Sequence, residues 1–320
     1  MNQTQETAQS SAVKTSPGRI RSFGRLDRRS VMQLALAASL SLGAIAAQAQ
    51  TKPAEAFTPH VGQAGKDVIW VPTPDALVNR MLKMAQVTPD DVVVDLGSGD
   101  GKIVIAAARD FKARSLGVEF NPDMVSLSRR NAQTAGVGER ARFEQGDIFT
   151  FDYSNATVIT MYLLPGLNLK LRPTLLKMKP GTRLVTHQFT MGTWEPDDTT
   201  TVENRPGYLW IVPAAVGGSW KLTGQETRGT QESQLSLTQA FQQVTGTWRG
   251  TAMDGKLRNV RLSGDMLSFD MMDPNGVLRS YVGRVNGARI EGSTLAADGT
   301  AGTFVATRVG AAAPVDGGRE

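Results

Sequence analysis

The 320-residue chain has no cysteine and only two histidines, His60 and His187. The first absence excludes disulfides, thiolate zinc sites and a lipidated anchor cysteine. The second argues against a multi-histidine centre, so no metal is expected. Aromatic residues make up 6% of the chain and no basic cluster is interleaved with them, which argues against a nucleic-acid partner. The apolar run Val31 to Ala47 has 17 residues, interrupted by Gln33 and Gly43. A membrane-spanning helix wants about 20 predominantly apolar ones. Because Arg28-Arg29 precedes that run and the small-x-small triplet Ala47-Gln48-Ala49 follows it, residues 1–49 read as a twin-arginine export signal. Cleavage after Ala49 would leave a periplasmic protein without a transmembrane helix; an uncleaved membrane anchor is the alternative. Residues 1–49 hold six of the 35 Lys and Arg but two of the 30 acids, so the exported part is nearly neutral.

What the chain does contain is organised around Val92-Val93-Val94-Asp95-Leu96-Gly97-Ser98-Gly99-Asp100-Gly101-Lys102-Ile103. Three β-branched residues leading to an acid and three alternate glycines read as a buried strand and a tight turn. A helix from Lys102 to Arg109 follows. Glycines there let the backbone approach a ligand, and free helical N–H groups are expected to face the same point. A dinucleotide fingerprint would place its third glycine at position 102, whereas here it is Gly101. This spacing resembles motif I of the class I S-adenosylmethionine (SAM) dependent methyltransferases, which makes Asp95, Gly97, Ser98, Gly99 and Gly101 candidate cofactor-binding residues. Two further acids fit the same cofactor. Glu119 ends the next apolar strand, Ser115 to Val118, about 20 residues on, where a carboxylate can accept both ribose hydroxyls. Asp147 follows the strand Ala141 to Gln145, where the family reads the adenine amino group.

Around this centre, Thr73-Pro74-Asp75 announces a helix with Thr73 as its N-cap hydroxyl. In the family the corresponding helix helps cover the cofactor, so Thr73 is a further candidate contact. Asn121-Pro122-Asp123 opens another helix to about Thr134, with Gly136 as its stop. Strands are expected at Thr157 to Leu163, Thr182 to Gln188, around Thr199 to Glu203, and at Tyr208 to Ala214; the last two are joined by the short link Asn204 to Gly207. The resemblance implies a seven-stranded Rossmann-like α/β sheet over residues 50–215, parallel but for its last strand.

The acceptor side falls at Thr160-Met161-Tyr162-Leu163-Leu164-Pro165. The Asp/Asn-Pro-Pro-aromatic motif of enzymes that methylate base or glutamine amino groups is absent. Tyr-Leu-Leu-Pro, with the upstream Val71-Pro72-Thr73-Pro74, resembles bacterial relatives of the ATP synthase c-subunit lysine methyltransferases and, more distantly, the non-SET histone-lysine methyltransferases. By that resemblance Tyr162 to Pro165 would line a lysine channel and a protein lysine would accept the methyl group. The eukaryotic members do not match the tetrad letter for letter. A small-molecule acceptor, or a SAM-binding module without turnover, are the alternatives; a nicotinamide dehydrogenase is a third reading. His187, at a strand's carboxyl end, is a candidate proton acceptor or orienting group, and Trp194 a candidate cover for the pocket.

Beyond Gly217 the pattern changes. Turn signals recur at Asp254-Gly255, Gly264-Asp265, Asn275-Gly276, Asn286-Gly287 and Asp298-Gly299. They argue for a small all-β meander, a sandwich or barrel of six to eight strands over residues 216–310, with one possible helix near Ser236 to Gln243 and a disordered tail at 311–320.

Overall fold

A computed structural model describes residues 57–226, 229–273, 276–316 and 318. The expected export signal at 1–49 and Asn275 lie outside the described residues. Residues 57–320 form one compact unit. Its first half is a sheet of strands β1 (Val92–Leu96), β2 (Arg114–Glu119), β3 (Ala141–Gln145), β4 (Val158–Met161), β5 (Arg183–His187), β6 (Asp198–Val202) and β7 (Arg205–Ile211). Their spatial order is β3-β2-β1-β4-β5-β7-β6, and β7 alone runs against the rest. The β6–β7 link is tighter than expected. Glu203 and Asn204, at φ +51° and +60°, make a two-residue turn and leave Arg205, Pro206 and Gly207 inside β7. Two successive positive φ values match the twist of adjoining strands, which the wider link would not.

Helices cover both faces. Strand alternation sends Val93, Val158, Val185 and Leu209 toward helices α1 (Asp75–Met84) and α2 (Lys102–Asp110), where Leu77, Met81 and Leu82 are fully buried. Helix α3 (Pro122–Thr134) packs beside α2 through Val125 and Ala132. The neighbouring strand residues Val94, Ile159, Leu184 and Trp210 face the other way, onto helix α4 (Pro165–Leu175). At α1 the extended residue before the first turn is Pro74, and no side chain caps it. Thr73 is therefore not the N-cap. At α3 Asn121 does cap, accepting from the Asp123 N–H at 2.9 Å.

The second half is a single nine-stranded antiparallel sheet. It comprises β8 (Gly218–Glu226), β9 (Gly229–Ala240), β10 (Gln243–Arg249), β11 (Asp254–Lys256), β12 (Arg258–Ser263), β13 (Met266–Met272), β14 (Leu278–Asn286), β15 (Arg289–Ala296) and β16 (Ala301–Val309). Their order, β11-β10-β9-β8-β16-β15-β14-β13-β12, brings the two ends together as a nearly closed barrel. Alternate residues such as Trp220, Leu235, Phe269, Tyr281 and Phe304 fill its interior. Three expectations fail: there are nine strands where six to eight are expected, and two local readings differ. Ser236 to Gln243 is not a helix but the end of β9, the two-residue turn Phe241-Gln242 and the start of β10. Asp254-Gly255 is not a turn but part of β11, which pairs with β10. The signals at 264–265, 286–287 and 298–299 do fall at strand-to-strand turns. In the tail, the Phe241 N–H donates to the Val315 carbonyl at 2.6 Å.

The barrel docks on the α/β half through its β9–β10 turn. Phe241 stacks on the fully buried Trp194 at 5.6 Å, and the Trp194 indole N–H donates to Gln242 at 3.0 Å. Trp194 therefore lies in the seam between the halves and is not among the residues lining the pocket.

Candidate active site

A cleft of about 350 Å³ opens at the carboxyl ends of β1, β2 and β4, where a doubly wound sheet leaves its crevice. Its floor is the turn from β1 into α2. Gly99 has φ +55°, and a Cβ there would come within 2.6 Å of the Trp70 indole nitrogen, so only glycine lets the strap Gln63–Thr73 lie this close. Gly97 lines the cleft as well. Gly101, at φ +86°, does not; it stands before α2 with a Cβ position 2.6 Å from the Phe143 ring and 2.8 Å from Ser128. It allows α2, α3 and β3 to pack. Ser98, although buried, lines the cleft as well, and its hydroxyl lies against Gly117, 2.5 Å from where a Cβ would stand.

The turn's amides are not free. Gly97 and Ser98 N–H groups donate to the Val118 carbonyl, Gly101 to Ser98, Gly99 to the Glu119 carboxylate and Lys102 to Asp100. A pyrophosphate would require such amides as free donors. The loop's contribution is close approach.

Of the carboxylates that line the cleft, Glu119, Asp147 and Asp95 are held in different states. Glu119 accepts from the Gly99 N–H at 3.0 Å through Oε2 and from the Asn121 N–H at 2.9 Å through Oε1, which fixes its plane. Each oxygen keeps capacity for another donor. Asp147 accepts from the Phe149 N–H at 3.0 Å and binds the Lys66 ammonium at 2.7 Å, and that ammonium holds its carboxyl below the ordinary range. Asp95 is buried and accepts from the Thr160 hydroxyl at 2.6 Å. Burial, opposed by that hydrogen bond and reinforced by the nearby charges of Glu119 and Asp100, raises its pKa to about 7.

Opposite the turn, Tyr162, Leu163, Leu164, Leu167 and Phe189 make an apolar and aromatic wall. Pro165 is not part of it: it is the exposed first residue of α4. His187 is not part of it either. It is fully buried behind Tyr162, with the two ring centroids 3.8 Å apart, and its Nδ1 lies 3.0 Å from the Thr73 hydroxyl. Burial, helped by the charge of Arg205, lowers its pKa to about 4, so the imidazole is neutral in neutral solution. Thr73 itself lines the cleft.

Sequence reasoning missed the strap's share of the site. Gln63 to Thr73 contribute an unbroken run of lining residues, pinned by the Ala64–Ile69 bridge, the Lys66–Asp147 ion pair and Lys66 over the Phe120 ring at 4.6 Å. The stiff Trp70-Val71-Pro72 stretch was its only visible sign. Among the described residues no group of three His, Cys, Asp or Glu side chains could hold a metal ion, and no helix is long and apolar enough to cross a membrane.

Residues 95–198, which hold most of this site, match the ANTKMT methyltransferase domain family. The chain is 42% identical over 162 residues to a protein-lysine N-methyltransferase of Saccharolobus islandicus, covering 49% of this chain and 96% of that one. This chain is a class I SAM-dependent methyltransferase. To the mouse ATP synthase c-subunit lysine N-methyltransferase it is 37% identical over 150 residues, 45% of this chain and 58% of the relative. A Salinibacter ruber RNA methyltransferase solved with S-adenosyl-L-homocysteine is 51% identical, with a TM-score of 0.45 over 46% of this chain and 96% of that one. The methyltransferase cofactor is SAM, and the cleft's fixed carboxylates and glycine-floored approach fit it.

Proposed function

We propose that this methyltransferase acts on the side-chain amine of a protein lysine. The observation that carries the reading is the 42% identity to a protein-lysine N-methyltransferase across 96% of that relative. The apolar wall supports it: Tyr162, Leu163 and Phe189 offer an alkyl chain a dry path to the cleft. In this reading Glu119 holds the ribose hydroxyls, Asp147 the adenine amino group, and Asp95 stands near the cofactor's cationic end.

When bound, SAM supplies an electrophilic methyl group. The chain's own work is alignment and the exclusion of water, for which well-oriented reactants reach effective molarities of about 10⁵ M or more. A lysine must lose its proton to become a nucleophile, and its free pKa is about 10.4. Desolvation between Tyr162, Leu164 and Phe189 disfavours the ammonium, and its proton leaves to water at the exposed Leu164 edge of the cleft. His187, sealed behind the wall, takes no proton from it.

The test is to incubate the chain with methyl-labelled SAM and a protein extract, then to map the label by mass spectrometry of tryptic peptides. Label on lysine supports the proposal; label confined to RNA or to small molecules overturns it. We further propose export by the twin-arginine route, supported by Arg28-Arg29 and the run from Val31 to Ala47. Arg28→Lys together with Arg29→Lys would then hold the protein in the cytoplasmic fraction.

A further inference from the structure

The histidine that the sequence offers as a catalytic base occupies a place from which it cannot act as one. His187 has no exposed surface, and the Tyr162 ring is packed against it. What it touches belongs to two sides of the cleft, the strap and the acceptor wall. Its Nδ1 meets Thr73 Oγ1 at 3.0 Å, and Thr73 is the last residue of the strap, two positions before α1 begins. Tyr162, one residue past the end of β4, lies on its face at 3.8 Å and 35°. The chain leaving it turns sharply. Gln188 takes φ +72°, unusual for a non-glycine residue, and its N–H donates to the Pro206 carbonyl at 2.8 Å. The next residue, Phe189, is thereby turned into the cleft wall, where the Thr186 hydroxyl holds its carbonyl. A leucine would fill the same space, but it would leave the buried Thr73 hydroxyl without this partner.

We propose that His187 is a positioning residue that locks the strap, through Thr73, to the acceptor wall, through Tyr162 and Phe189, and so sets the width of the cleft at the methyl-donating end. The inference rests on the reading that Tyr162 faces the acceptor; it does not depend on that acceptor being lysine. Thr73 and Tyr162 are not among the partners of Glu119 or Asp147, which are Gly99, Asn121, Phe149 and Lys66, and the far end of the strap is held separately by Lys66 on Asp147. With that far end still pinned, loss of the lock should be felt chiefly at the methyl end.

Two SAM analogues separate the ends. S-adenosylhomocysteine has nothing at the methyl position, whereas sinefungin carries an amine there. Calorimetric titration of both into the full chain would compare the wild type with Thr73→Val, Thr73→Ser, His187→Phe and the Thr73→Val/His187→Phe pair. The expected result is that Thr73→Val and His187→Phe each weaken sinefungin five- to tenfold and leave S-adenosylhomocysteine within twofold. Thr73→Ser, which keeps the hydroxyl, restores the wild-type ratio. The double variant is no worse than either single one, because both remove the same bond. Should His187→Phe fail to fold, the Val and Ser variants of Thr73 decide alone. Parallel weakening of both analogues, or an unchanged sinefungin affinity in Thr73→Val, overturns the proposal. No acceptor enters these measurements, so a label found elsewhere than on lysine would refute the substrate reading and leave this one standing.

Discussion

A carboxyl that titrates near neutrality stands beside the cleft at Asp95, held there by burial against a single strong hydrogen bond from Thr160. Its folded pKa lies above that of an unfolded aspartate. Its contribution to stability is thus complete below about pH 4 and is lost as the pH rises through about 7. A cationic cofactor reverses the preference, since a positive charge nearby favours the ionised form. Cofactor binding should then release a proton from Asp95 around pH 6 to 7, and affinity for SAM should rise roughly tenfold between pH 5.5 and 7.5. Calorimetry in two buffers of different ionisation enthalpy measures the proton. In Asp95→Asn the proton release and most of the pH dependence should disappear.

The residues that the sequence makes legible are those whose chemical type is demanded by position: the acids at strand ends and the glycines of the turn. What it does not show is where each points. Glu119, Asp147 and Ser98 all line the cleft, but Gly101, in the same motif as Ser98, serves packing, and His187 lies one layer behind the wall. Spacing along a chain fixes which end of a strand a residue occupies. Which side of a turn its side chain takes depends on neighbours that are remote in sequence, such as Gly117 for Ser98 and Thr73 for His187.

Among the elements, the strands and helices of the α/β half are readable because short strand-like runs alternate with longer stretches of helical spacing. Helix α4 is not. Pro165 looks like the end of a strand but is the first residue of a helix, where its missing N–H removes nothing, and Pro173 sits inside the same helix. Strand β9 is hidden for a related reason: its polar residues Gln231, Ser233 and Gln239 obscure the alternation that Leu235 and Leu237 announce. The turn that ends β9 is what joins the two halves. Phe241, nearly fully buried, adopts φ +56° and packs between Trp194 and the Arg172 guanidinium. Phe241→Ala should lower stability by about 3–5 kcal/mol, as large-to-small changes at buried aromatics do. Denaturant titration checks it, and a cost below about 1 kcal/mol would mean that the seam contributes little.

For the whole molecule, a sheet ordered β3-β2-β1-β4-β5-β7-β6 and a nearly closed nine-stranded barrel are joined through a buried tryptophan seam, with the cleft entirely in the first half. The strap that covers the cleft comes from ahead of the first helix, so the site depends on residues from Gln63 to Phe189 being folded together. The account stands on that cleft holding SAM by its sugar through Glu119. Titration of SAM into the full chain and into Glu119→Gln tests this most directly. One molecule should bind per wild-type chain, and the variant, stripped of a charged acceptor but of the same shape, should bind about tenfold more weakly with its melting temperature retained. Undiminished affinity in Glu119→Gln, or no binding of SAM to the wild type, would contradict it.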